Sequence, residues 1–389
     1  MGDSLPSRIR NCLEGIALAA SLLVTLSLPV QAREIARGNP GESVDSASEG
    51  RIGGHVFLAG GHWYGAPENI HSVFPASSFL SAIPRIEDLS PDWIFALGDL
   101  VRNAGDTVQV RNLRRTLLCI PQPTILVAGN HDLLPDGSLP PALSGHLPRV
   151  YGQSQSGAVR AVGEFTADSS LFLLLPTERL RQPGGSRDLM RQLDSIRETR
   201  PAHKSVLVFS HRLLWALAEP GFGEMDDFAN EPFGPLVDID SAKMVYQSIL
   251  NIVGDQKMYW FSGDIGASWS FTVFEGHSDD GRRHFYAAGL GDRPEDALWQ
   301  VEVDRSGWVY PQVFWLADPP PMLGGVFDLD FWRAEMRRRQ EVATRSFSAR
   351  MKDFVQANGT GFLMGFFVGM AILVAWRRFF PRRARRFPA

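Results

Sequence analysis

Five short stretches of this 389-residue chain carry side chains that bind metals or move protons, and each follows an apolar run. In order they are Gly60-Gly61-His62, Gly98-Asp99-Leu100, Gly129-Asn130-His131-Asp132, Ser210-His211 and Gly263-Asp264-Ile265-Gly266. Carboxylate, amide oxygen and imidazole together suit a divalent Mn, Fe or Zn ion. The glycines suit a chain that turns sharply around such an ion, because they reach positive φ and allow close approach. Asp264 reads either as an oxygen ligand or as a turn or cap residue. His62 is a candidate ligand that lacks a neighbouring carboxylate. Arg102, just beyond Asp99, reads either as a bidentate phosphate ligand or as an ordinary surface ion pair. Trp63, Tyr64 and Trp215 adjoin these stretches, with core packing as the default reading for each.

The elements that must position these residues are short, apolar and β-rich. Such runs recur at 56–59, 93–97, 124–128, 171–175, 205–209, 258–261, 284–288, 298–303 and 308–315. Helical patterns intervene early, at 77–89 and 186–199, and later strands follow one another closely. The expected fold class is α/β, with two packed mixed β-sheets flanked by helices. Ligands in such folds bind beyond the carboxyl ends of strands, which is where all five stretches fall. Gly276-His277-Ser278-Asp279 sits instead where a hairpin turn is expected, and is read as a turn.

The order of the five stretches resembles the calcineurin-like metallophosphoesterases. Their motifs are Asp-x-His, Gly-Asp, Gly-Asn-His followed by Asp or Glu, a lone His, and Gly-His-x-His. The resemblance covers roughly residues 55–291, and Gly129–Asp132 is its most specific element. It implies a four-layer metallophosphoesterase-like sandwich. Two departures stand out: Gly60-Gly61-His62 lacks the first carboxylate, and Gly263-Asp264-Ile265-Gly266 has an Asp for one His and nothing for the other. These variants look like a divergent branch with an Ala-Gly-His first motif and a Gly-Asp-Val-Gly-Ala last motif.

Carried over residue by residue, the resemblance leaves one metal position with only His62 and Asp99. The other keeps Asp99, Asn130 and His211, with Asp264 as substitute. One ion is therefore expected in preference to two. The activity implied is phosphoester hydrolysis, in which an ion-activated water attacks phosphorus. His131 would stabilise or protonate the leaving oxygen, with Asp132 orienting it. The competing reading is a non-catalytic envelope binding protein that keeps the fold with a degenerate metal site.

Both ends of the chain carry membrane signals. Arg8 and Arg10, an apolar stretch over 15–28 and then Val30 and Ala32 read as a signal peptide over 1–32, either cleaved after Ala32 or retained as an anchor. Residues 33–51 read as a disordered tether, 52–317 as the phosphoesterase-like domain, and 318–353 as a proline hinge and basic juxtamembrane helix. Residues 354–376 contain no charge and are long enough to span a bilayer. The tail 377–389 is rich in arginine and is expected in the cytoplasm. The domain is thus expected outside a bacterial inner membrane, as a single-pass periplasmic protein whose phosphoester substrate could be an envelope component. Gly361, Gly365 and Gly369 would permit a homodimer through the span. A formal net charge of −4 gives no reason to expect nucleic-acid binding. Of two cysteines, Cys12 lies in the signal and Cys119 in an apolar run, so no disulfide is expected and Cys119 reads as a small core residue.

Overall fold

A computed structural model of the chain describes residues 54–65, 72–144, 162–167, 169–199, 202–267, 269, 271–321 and 327–344. The expected signal, tether, membrane span and basic tail lie outside them. Among the described residues no helix is long and apolar enough to cross a membrane.

The described strands form two mixed sheets, as expected of the α/β class. In the first, β1 (His55–Gly60), β2 (Trp93–Ala96) and β3 (Thr124–Leu126) run parallel. It continues antiparallel through β10 (Ala297–Val303) to β11 (Val309–Trp315), in the order β11-β10-β1-β2-β3. The second sheet has the order β4-β5-β6-β7-β9-β8. Its parallel centre is β5 (Ser170–Leu175), β6 (Ser205–Ser210), β7 (Lys257–Ser262) and β9 (Arg283–Ala288). Its edges, β4 (Gly163–Ala167) and β8 (Val273–His277), are antiparallel.

The central strands are buried on both faces, which is why they read as continuous apolar runs. Phe57 and Phe95 of the first sheet meet Phe172 and Phe209 of the second, with Phe95 stacked on Phe209 at 3.9 Å between ring centroids. This aromatic layer holds the sheets face to face. Helices α1 (Ser77–Leu89) and α2 (Thr107–Cys119) share a buried cluster with the first sheet through Phe79, Ile83, Ile86, Val110 and Leu113. Asp106 starts α2 by accepting hydrogen bonds from the Val108 and Gln109 amides. Helices α3 (Gly185–Thr199) and α4 (Ile239–Val253) also bury one face each, and Asp238 caps α4 through the Ser241 amide.

Two sequence expectations change. Cys119, expected as a small core residue in an apolar run, is the last residue of α2. Cys119 lies half-buried there, off the helix face that carries Val110 and Leu113. It is disulfide-bonded, with its partner outside the described residues. Gly276 and His277 end β8 and pair in register with Phe285 and His284, so the turn begins at Ser278, two residues later than expected. Separately from the sheets, α5 (Leu329–Thr344) begins a second unit that runs from Asp330.

Candidate metal centre

The carboxyl ends of β1, β2, β3, β6 and β7 each deliver one of the five stretches, and backbone contacts lock those ends together. The His62 amide donates to the Gly98 carbonyl at 2.8 Å, and the Gly263 and Asp264 amides both donate to the His211 carbonyl at 3.0 Å. Asp99 and His62 both hold the left-handed backbone region, at φ of 56° and 57°. Such conformations are costly for non-glycine residues and persist only where surroundings over-determine them.

Here the surroundings are visible. The buried Asp132 carboxylate accepts four backbone N–H groups: Asp99 at 2.7 Å, Gly129 at 3.0 Å, Leu100 at 2.8 Å and Val101 at 3.2 Å. Gly129 is required at its position, because a Cβ there would stand 2.2 Å from Asp99 Oδ1. Burial and the neighbouring Asp99 carboxylate push the Asp132 carboxyl up to about 6, against the pull of the backbone donors. Asp132 therefore shapes the Asp99 loop.

That revises the role expected of Asp132. The His131 ring is held by the Arg102 carbonyl, which accepts from Nδ1 at 2.6 Å, and not by Asp132. A carbonyl cannot donate, so Nδ1 carries the proton and Nε2 is the atom left for chemistry. The physical reason is proximity: the four amides of the turning chain surround Asp132 before His131 can reach it.

Asp99, His211 and Asp264 come together, each buried, with one potential ligand atom apiece within 4.8 Å of one another. His211 Nδ1 donates to the Leu97 carbonyl at 2.9 Å, which turns Nε2 toward Asp99 Oδ1 at 3.4 Å. Nε2 is fully buried and makes no hydrogen bond. A buried polar atom without a partner is costly in a native protein. A divalent ion would satisfy this one, and an imidazole whose Nδ1–H is fixed on a carbonyl is prepared for that role. Burial alone would lower the His211 pKa, yet Asp99 and Asp264 outweigh it and the net shift is upward. For Asp99, burial is outweighed by His211, His62 and His131, so its carboxyl is held low. The trio is thus short of positive charge, and its donor set fits Mn, Fe or Zn.

His62 lies beside the trio. Its Nδ1 pairs with the Leu290 carbonyl at 3.1 Å, and burial lowers its pKa against the opposing pull of Asp99 and Asp264. The half-buried Tyr64 ring stands 4.2 Å from the His62 ring, 5.3 Å from that of His131 and 4.8 Å beneath the Arg102 guanidinium. Tyr64 is thus a wall of the site, whereas Trp63 and Trp215 are fully buried core residues.

Asn130 is placed differently from expectation. Its Oδ1 accepts from Arg212 Nη2 at 2.9 Å, and Arg212 Nη1 reaches Asp264 Oδ2 at 2.6 Å. Glu178 and Glu231 complete the surroundings of that guanidinium. Sequence reasoning passed over all three. The one signal was the position of Arg212, directly after the strand-terminal His211. Glu178 and Glu231 come from separate loops and carried none.

No protein-family profile matches this sequence, and no curated protein does. Solved structures are similar to it, among them the following two. One is the purple acid phosphatase isolated from yellow lupin (Lupinus luteus) seeds, at 13% identity and a TM-score of 0.40, covering 66% of this chain and 52% of that one. The other is the protein TT1561 of Thermus thermophilus, at 14% identity and a TM-score of 0.34, covering 67% of this chain and 99% of that one. The chain spans about half the length of the lupin phosphatase.

Proposed function

We propose that this chain is a metal-dependent phosphoester hydrolase whose divalent ion is held by Asp99, His211 and Asp264, with His62 beside them. The observation that carries this reading is His211 Nε2, buried, without a hydrogen bond and facing Asp99 Oδ1 at 3.4 Å within the Asp99–His211–Asp264 cluster. A bound ion supplies Lewis acidity toward a phosphoryl oxygen and toward water. The residues around it supply the rest. Arg102, lying over the Tyr64 ring, offers a planar fork of donors to non-bridging phosphate oxygens. His131, with Nδ1–H fixed on the Arg102 carbonyl, presents Nε2 outward. With Nε2 protonated as well, the imidazolium donates its Nε2 proton to the leaving oxygen and is left neutral with Nδ1–H in place. The hydrogen bond from Nδ1 stabilises the charged ring before transfer and fixes its orientation during it. Arg102 thus supports the reaction twice, through its side chain and its carbonyl.

The test compares wild type with His131→Ala at matched metal occupancy, on an alkyl and an activated aryl phosphodiester. His131 is not among the ion's ligands, so metal content should be unchanged. Loss of general-acid assistance should slow the alkyl substrate about 10²–10⁴-fold and the aryl substrate much less. Background turnover by fully metallated wild type across a broad phosphoester panel would favour the non-catalytic binding protein instead. The extracytoplasmic placement rests on the terminal segments alone: a reporter fused after Leu316 should be active outside the membrane, and cytoplasmic activity would overturn it.

A further inference from the structure

Arg212 is a fully buried cation whose five N–H donors all point at oxygen. Nε donates to Glu178 Oε1 at 2.6 Å, and Nη1 to Asp264 Oδ2 at 2.6 Å and the Glu231 carbonyl at 3.0 Å. Nη2 donates to Asn130 Oδ1 at 2.9 Å and to a carboxylate oxygen of Glu231. The Phe233 ring lies 5.5 Å from the guanidinium carbon. Burial would lower the pKa of this group, but Asp264 and Glu178 outweigh it and the shift is upward. The guanidinium is a permanent charge in a fixed plane, since it has no accessible neutral form and no donor left over.

Two of its five partners, Asn130 and Asp264, are the oxygens that would otherwise serve an ion on that side of Asp99. An oxygen at 2.6–2.9 Å from a guanidinium nitrogen faces the arginine. A zinc ion would need it at about 2.0–2.2 Å from itself. Asp264 still has a second oxygen for the Asp99–His211 side, whereas Asn130 has only the one. We propose that Arg212 is a resident second cation. It occupies the Asn130 side of the centre, so the chain accepts one divalent ion, at Asp99, His211 and Asp264, and Asn130 is not among its ligands. This rests on the metal-binding reading above, and goes beyond the loss of ligands as a reason for single occupancy: the second position is filled, not merely weakened.

The test counts Mn²⁺ bound to the full chain by equilibrium dialysis with elemental analysis, alongside electron paramagnetic resonance at saturation. Wild type should hold one ion with the signal of an isolated centre. Asp99→Ala and His211→Ala should hold none, and Asn130→Ala should still hold one. Arg212→Gln removes the charge and shortens the side chain while keeping an amide near Glu178. It should admit a second ion and give a spin-coupled signal. Two ions in wild type would overturn this inference while leaving the metal-binding reading intact. None in wild type would overturn that reading, and this one with it. A folded Arg212→Gln protein holding one ion would also overturn the inference. Should that variant not fold, Asn130→Ala decides: an ion retained supports the resident cation, and an ion lost makes Asn130 a ligand and refutes it.

Discussion

Asp132→Asn separates two accounts of the Gly-Asn-His-Asp stretch. The wild-type carboxylate accepts four buried N–H groups, two on each oxygen. The amide keeps one oxygen and presents N–H groups to the donors that faced the other, so two bonds are lost. A buried donor left unsatisfied costs about 1–3 kcal/mol, so the loss should be about 2–6 kcal/mol. Whole-domain stabilities are about 5–15 kcal/mol, so the effect would be large. Unfolding of the metal-free protein in urea should show a lower midpoint at unchanged slope. The same donors hold Asp99 at its positive φ, so affinity for Mn²⁺ should also fall, by about 10–100-fold. If Asp132 served His131, the stability cost would be small and would vanish in a His131→Ala background. The geometry instead predicts a double-mutant coupling below about 0.5 kcal/mol. A stability loss under about 1 kcal/mol, or a coupling above that size, would refute the assignment of Asp132 to the Asp99 loop.

Two further outcomes follow from the same geometry. At Gly98, φ is 84° and a Cβ would stand 2.5 Å from His211 Nδ1 and 2.6 Å from the Gly129 amide nitrogen. Gly98→Ala should therefore abolish Mn²⁺ binding in dialysis, and retained binding would show that the loop relaxes. Asp296 is buried, and burial lifts its carboxyl from the ordinary 3.8 to about 6 despite hydrogen bonds from Ser78, Gly291 and Arg293. The folded state then holds this proton more tightly than the unfolded chain, so stability falls as pH rises from about 4 to about 6, by up to about 3 kcal/mol. Asp296→Asn should make that part of the pH profile of denaturant midpoints shallower, leaving the share due to Asp132, and identical profiles for the two proteins would refute it.

The sequence by itself determined the strand framework and the order of chemical groups along it. Nine apolar runs became strands, the central ones with the continuous signature that burial on both faces imposes, and His62, Asp99, Asn130, His211 and Asp264 were visible because each follows such a run. The edge strands β4 and β8 and the helices α2 and α4 were less legible. β4 alternates buried with less buried residues, β8 ends in Glu275, Gly276 and His277, and the buried faces of the two helices are interleaved with polar residues. What the tertiary structure alone decided was pairing among the site residues. Asp132 turns to four amides and not to its neighbour His131, because the positive φ at Asp99 folds those N–H groups onto it. Asn130 faces Arg212 because Glu178 and Glu231, distant in sequence, fix that guanidinium beside it. Motif spacing records which groups reach the rim of the sheets. Which group satisfies which depends on contacts between loops, and a buried charge is committed only once every loop that can neutralise it has arrived.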